Sequence, residues 1–132
     1  MTADRSWHPV QSAPGTPPPA GAYSPAIRAG DLLFVSGQVP KDPETGVIAD
    51  DVGQQTRQVL ENLRRVLASA GAGIDDVVSV TAYLSDIGDW DAFNGVYSEV
   101  FREPYPTRTT VGAGLHGFAV EISAVAYVGG SR

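Results

Sequence analysis

Two segments of this chain carry helical periodicity and five carry strand-like runs, in an order that leaves little choice of architecture. Between residues 51 and 70 the apolar side chains fall at Val52, Val59, Leu60, Leu63, Val66 and Leu67, which makes one apolar stripe on an α-helix. Asp50 or Asp51 is placed to cap its start and Gly71 to end it. The run "DWDAFNGVYSEVF" repeats the pattern with Phe93, Val96, Tyr97, Val100 and Phe101, Asp89 as a candidate cap and Pro104 to close it. "YSPAIRAGDLLFVSGQVP" reads as two strands around a tight Ala29-Gly30-Asp31 turn. "IDDVVSVTAYLSDI" is a β-branched strand, and residues 105–127 supply two more. The order is β-β-α-β-α-β-β, an α+β fold with one sheet. Two helices cover only one face of such a sheet. The other face would then carry residues such as Tyr83, Val125 and Tyr127, too apolar to stay wet, so a homo-oligomer is expected.

At 132 residues the chain is one domain. Residues 1–20 are rich in proline and lack periodicity, and they read as an extended or disordered lead-in to a single domain over 21–132. The net charge of −6 argues against a nucleic-acid surface, which needs clustered lysine and arginine. There is no cysteine, hence no disulfide frame and no thiolate nucleophile. No run approaches the ~20 apolar residues of a membrane span, and the amino end lacks the apolar core of a signal peptide. A cytoplasmic location, with no membrane partner, is the expectation.

Against that background, Arg108 and Glu121 stand out. Each is a lone charge in a strand-like run, Arg108 among threonines and Glu121 between Val120 and Ile122. A symmetric hairpin centred between Gly114 and Leu115 would set them opposite one another. They are then either a structural ion pair or a site. A buried pair gains little net stability after desolvation. A guanidinium grips carboxylates bidentately, and a glutamate in an apolar strand can have a raised pKa that suits proton transfer. In an oligomer the two could come from different chains. Gly112, Gly114 and Gly117 would let a ligand approach, or only shape the loop. Tyr23 could offer a hydroxyl and "VSGQ" exposed backbone donors, although packing and a strand terminus explain both. His8 and His116 are too far apart for a metal site, and there is neither HExxH nor a phosphate loop. Ser36 has no evident base.

The segments "GAYSPAIRAGDLLFVSGQVPKDPETG", "QQTRQVLENLRRVLASAGAGIDDVVSVTAYLSDI", "FNGVYSEVF" and "PTRTTV…VEISAVAYV" together resemble the YjgF/Rid family of reactive intermediate deaminases, over residues 21–128. The resemblance implies a chorismate-mutase-like fold and a homotrimer with ligand clefts between subunits. It also implies hydrolysis of enamines and imines, such as 2-aminoacrylate, to 2-oxo acids and ammonia, with no metal or cofactor. By the same resemblance, Arg108 binds the substrate carboxylate and Glu121 positions or activates the attacking water. Tyr23, Ser36, Gly37, Asn94 and Thr110 match the family's other substrate-binding positions. The chain departs from the pattern in three places. "GAGLHG" is about two residues shorter than the usual loop and lacks its Leu-Pro. Ala22 replaces a proline, and Ser123 stands where an acidic residue is common. A non-catalytic ligand-binding, regulatory or chaperone-like trimer, or a pathway-specific enamine deaminase, are the other roles the resemblance allows.

Overall fold

A computed structural model describes residues 6–11 and 13–129. The strands are β1 (Trp7–Pro9), β2 (Ala26–Ala29), β3 (Leu32–Gln38), β4 (Val77–Leu84), β5 (Thr107–Gly112) and β6 (Val120–Tyr127). Helix α1 (Val52–Ser69) lies between β3 and β4, and α2 (Trp90–Val100) lies between β4 and β5. The sheet order is β1-β2-β3-β6-β4-β5. Every neighbouring pair is antiparallel except β4 and β5, which run parallel through the α2 crossover. The expected α+β architecture, a mixed sheet with two helices on one face, is the one observed.

Local chemistry sets the element boundaries. Gly30 turns the β2–β3 hairpin with φ 58°, a conformation that glycine adopts without steric cost, and Ala29 pairs with Leu32. Asp51 caps α1 by accepting the Gln54 N–H at 2.9 Å, and Gly71 at φ 76° follows its last turn. Asp89 occupies the N-cap position of α2, but its side chain makes no capping bond. A short 3₁₀ turn (Ile87–Asp89) precedes the helix, and there Asp86 does the local work by accepting the Gly88 N–H at 2.8 Å.

The core fills the space between the helices and one sheet face. Leu60, Leu63 and Leu67 of α1, Phe93 of α2 and Phe101 just past its end bury against Leu33, Val80, Leu84 and Ile122. Along β6 buried and partly exposed residues alternate, the period of a strand with one face packed. On the far face Phe34 stays 45% exposed and Tyr127 42%.

Part of the proline-rich lead-in is built on to the domain. Trp7–Pro9 adds a sixth strand beside β2. Beyond it, the Ala13 N–H donates to Ser69 Oγ at 3.1 Å, and Arg65 Nη1 donates to the Gly15 carbonyl at 3.2 Å. Residues 1–5 and 12, which also belong to that lead-in, lie outside the described residues.

Two polar side chains on the buried side of α1 pin loops that approach the site. Gln55 donates to the Ala49 carbonyl at 2.7 Å and accepts the Ala119 N–H at 2.8 Å, which fixes the entry to β6. Asn62 donates to the Val39 and Lys41 carbonyls, both at 2.9 Å, just past the end of β3. Removing a buried donor strands its acceptors. Asn62→Ala is therefore expected to cost about 2–3 kcal/mol, a fall in Tm of roughly 10 °C by circular dichroism. Breaking the exposed Arg57–Glu99 pair should barely move Tm.

Candidate functional site

The chain does not place Arg108 opposite Glu121. The symmetric hairpin that would have set them opposite is not formed, because β4 lies between β5 and β6. Arg108 pairs with the buried Val80 and so points to the helix side, whereas Glu121 pairs with Tyr83 and points to the open side. Two strand spacings, about 9–10 Å of sheet, and the sheet itself separate them. The core is filled from one side only, and the hydrophobic strands β4 and β6 pair at its centre. The edge position is left to the threonine-rich β5.

Glu121 sits at an irregularity in β3. Val35 pairs with Ala124 and Gln38 with Ile122, so Ser36 and Gly37 together span the single residue Ser123. This is a β-bulge, a device that re-aims side chains near sites. Ser36 locks it by donating its Oγ to the Ser24 carbonyl at 2.6 Å and its N–H to the Pro25 carbonyl at 3.0 Å. Gln38 adds a bond from Nε2 to the Ser36 carbonyl at 3.1 Å. Gly37 has a direct reason to be glycine, since a Cβ there would land on the Glu121 carboxylate. Glu121 makes no hydrogen bond or ion pair with any described residue, and burial pushes its carboxyl pKa up. Tyr23 is half exposed, and its hydroxyl accepts the Ala20 N–H at 3.0 Å.

Arg108 is held from α2. Trp90, Phe93, Asn94 and Tyr97 fall at helical spacing on one face of that helix. Asn94 Oδ1 accepts from Arg108 Nη1 at 2.8 Å. The guanidinium carbon lies 4.6 Å from the Tyr97 ring centroid, 5.3 Å from Trp90 and 5.4 Å from Phe93, within cation–π range. Tyr97 is itself fixed by stacking on Phe101 at 4.5 Å. No carboxylate pairs with Arg108 among the described residues, so the structural ion pair is not what this arginine is for. With one N–H bound to Asn94, most of its five donors remain for another acceptor.

Two buried hydroxyls lie in the same region, those of Tyr97 and Thr110, with no partner at full hydrogen-bond geometry among the described residues. Burial raises the Tyr97 pKa, and the nearby Arg108 charge partly offsets that. His116 is exposed in the β5–β6 connection and joins neither cluster.

The seven expected site residues therefore fall into two groups. Tyr23, Ser36, Gly37 and Glu121 gather at the β3 bulge on the open side, while Arg108, Asn94 and Thr110 gather at α2 and β5 on the helix side. Sequence reasoning missed Trp90 and Tyr97 as the bed of Arg108. It took Tyr97 for core, and no pattern in the sequence ties the ring to a cation. One group is a pinned guanidinium that can take an anion, and the other is an unpaired carboxyl that can handle a proton.

The fold is that of a known class of protein, and the chain belongs to it: the YjgF/Rid family, whose model, described as Endoribonuclease L-PSP, matches residues 14–128. A RutC family protein of Pyrococcus horikoshii is 46% identical over 114 residues, covering 84% of this chain and 90% of that protein. The 3-aminoacrylate deaminase RutC of Acinetobacter baylyi is 40% identical over 117 residues, covering 86% and 93%. The crystal structure of Escherichia coli TdcF with bound serine superposes with a TM-score of 0.84 at 33% identity, covering 91% of this chain and 98% of that one. Relatives in this family are named deaminases, which supports an enzymatic role for the family.

Proposed function

We propose that this protein hydrolyses reactive enamines and imines of the 2-aminoacrylate and 2-iminopropionate type to 2-oxo acids and ammonia. In this reading it needs no cofactor and acts in the cytoplasm as a homotrimer. The observation that carries the reading is the pinned, carboxylate-free Arg108 kept apart from the pKa-raised Glu121. One chain cannot bring both to a small molecule, but a neighbouring copy can. The apolar open face around Phe34 and Tyr127 supports such packing, and the serine bound to TdcF supports a small amino-acid-like ligand.

In the cleft between copies, Arg108 of one chain binds the substrate carboxylate bidentately, with Asn94 and the three rings holding the fork. An enamine first takes a proton at carbon and gives one up from nitrogen, becoming the imine. Water held by the Glu121 carboxylate of the next chain adds to the C=N carbon. Its proton passes to Glu121 and on to the nitrogen, giving a carbinolamine. Glu121 then takes the hydroxyl proton and delivers it to the nitrogen as the C–N bond breaks, so ammonia leaves and the 2-oxo acid remains. The imine is already electrophilic, so orientation and one proton shuttle suffice.

The test is ammonia release from 2-aminoacrylate formed in place by a pyridoxal-phosphate dehydratase, against the dehydratase alone. Acceleration in proportion to added protein is expected. A melting temperature raised by a 2-oxo acid, without any such acceleration, would leave a binding protein instead. The oligomer has its own test in Phe34→Glu, which puts a charge on the open face. The variant should sediment as a monomer and lose more than about tenfold in activity, because a charge buried at an interface is costly.

A further inference from the structure

Gly37 does more than make room for Glu121, and Tyr23 does more than bond Ala20. They also line a cavity of about 360 Å³ whose remaining walls include Pro17, Pro18, Pro19, Val39 and Pro43. We propose that this cavity receives the substrate's side chain, and that the proline strap over residues 17–19 selects imino acids with a large apolar or aromatic group. The inference rests on the imine-deaminase reading and adds its substrate preference.

Three observations support it. The first is position: Gly37 lines the cavity and also lies against the Glu121 carboxylate, so the cavity and the proposed water-activating group share that residue. The second is chemistry. Proline lacks an N–H, so three in succession offer a wall without donors and with φ already fixed. Asp42 also lines the cavity, but its Oδ1 is committed to the Glu44 and Thr45 N–H groups at 2.8 and 3.2 Å. Gln38 and Lys41 line it too, Gln38 with its Nε2 committed to the Ser36 carbonyl at 3.1 Å, so the apolar part of the walls is the prolines, Val39 and the Tyr23 ring.

The third is that the strap is tied down. The Ala20 N–H bonds the Tyr23 hydroxyl at 3.0 Å, and Arg65 and Ser69 of α1 hold Gly15 and Ala13. Thr16 Oγ1 closes the turn onto the Ala13 carbonyl at 2.6 Å. A wall anchored at both ends is preformed, as ligand sites usually are, and the volume lies in the range of small-molecule pockets. The single methyl of 2-iminopropionate would leave most of it empty, whereas an isobutyl or benzyl group would occupy it.

The experiment compares kcat/KM for 2-imino acids made in place from alanine, leucine and phenylalanine by an amino-acid oxidase. Wild type should favour the phenylalanine-derived over the alanine-derived imine by at least tenfold, since accommodating even one added methylene is worth ~10-fold or more. Two variants alter different walls. Pro17→Gly/Pro18→Gly/Pro19→Gly slackens the strap, and Val39→Phe fills the space. Each should reduce that preference ratio at least tenfold. A wild type that prefers the alanine-derived imine, or a ratio unmoved in both variants, overturns the side-chain pocket. No turnover of any imine by wild type would instead defeat the deaminase reading.

Discussion

Arg108→Ala is expected to lower kcat/KM by two to three orders of magnitude while the oligomer stays assembled. Removing one partner of a desolvated, hydrogen-bonded charge pair costs about 2–5 kcal/mol, and each 1.4 kcal/mol is a factor of ten. The loss falls on substrate binding and orientation together, because the proposed fork both captures the carboxylate and aims the imine carbon. Stability should suffer far less. Arg108 has no carboxylate partner to leave stranded, so only the Asn94 bond and the contacts to three rings are lost. Arg108→Lys keeps the charge but not the planar fork, and it should recover only part of the activity. Ammonia release and a melting curve on the same preparations separate the two effects. Full turnover in the alanine variant would remove Arg108 from the site.

Glu121→Gln should reduce kcat by about 10²–10⁴ with a smaller change in KM, the usual scale for a lost acid–base group. Its pH behaviour follows from burial, which raises the folded pKa above the ordinary value of 4.5. A carboxylate base works only when ionised, so the acid limb of wild-type kcat/KM should lie above pH 4.5 and vanish in the variant. Stability runs the other way. Below pH 4.5 the carboxyl is protonated in both folded and unfolded chains and costs nothing. As pH rises from 4.5 through the folded pKa, the unfolded chain ionises more readily and native stability falls. Glu121→Gln should therefore melt higher than wild type at pH 8 and no higher at pH 4. An unchanged difference between those pH values would mean that Glu121 is not desolvated.

Much of the fold was legible because periodicity reports burial. The stripes of α1 and α2, the Gly30 turn and the alternation of β6 each left a period of 3.6 or 2 in the sequence. Whether β5 pairs with β6 was left open for an equally physical reason. A short glycine-rich connection is compatible with a hairpin, and nothing local reveals that β4 has already taken the place beside β6. That choice is made by the core, which needs Val80, Ala82 and Leu84 at its centre. The roles of Gln55 and Asn62 were missed although a signal existed. Both lie on the buried side of α1, and a polar group there must find a partner. The bulge at Ser36 and Gly37 was foreshadowed only by a run of small residues, and Asn94 came into view through family resemblance.

The arrangement of Arg108 and Glu121 on opposite sides of one sheet has a genetic consequence. If each working cleft draws its arginine from one copy and its glutamate from another, two defective alleles can rescue each other. In the proposed trimer, each mixed assembly of Arg108→Ala and Glu121→Gln chains would contain one cleft with both native groups, about a quarter of all clefts under random assortment of equal amounts. Activity recovered on co-refolding two inactive proteins would mark the heritable unit of this function as the junction between chains.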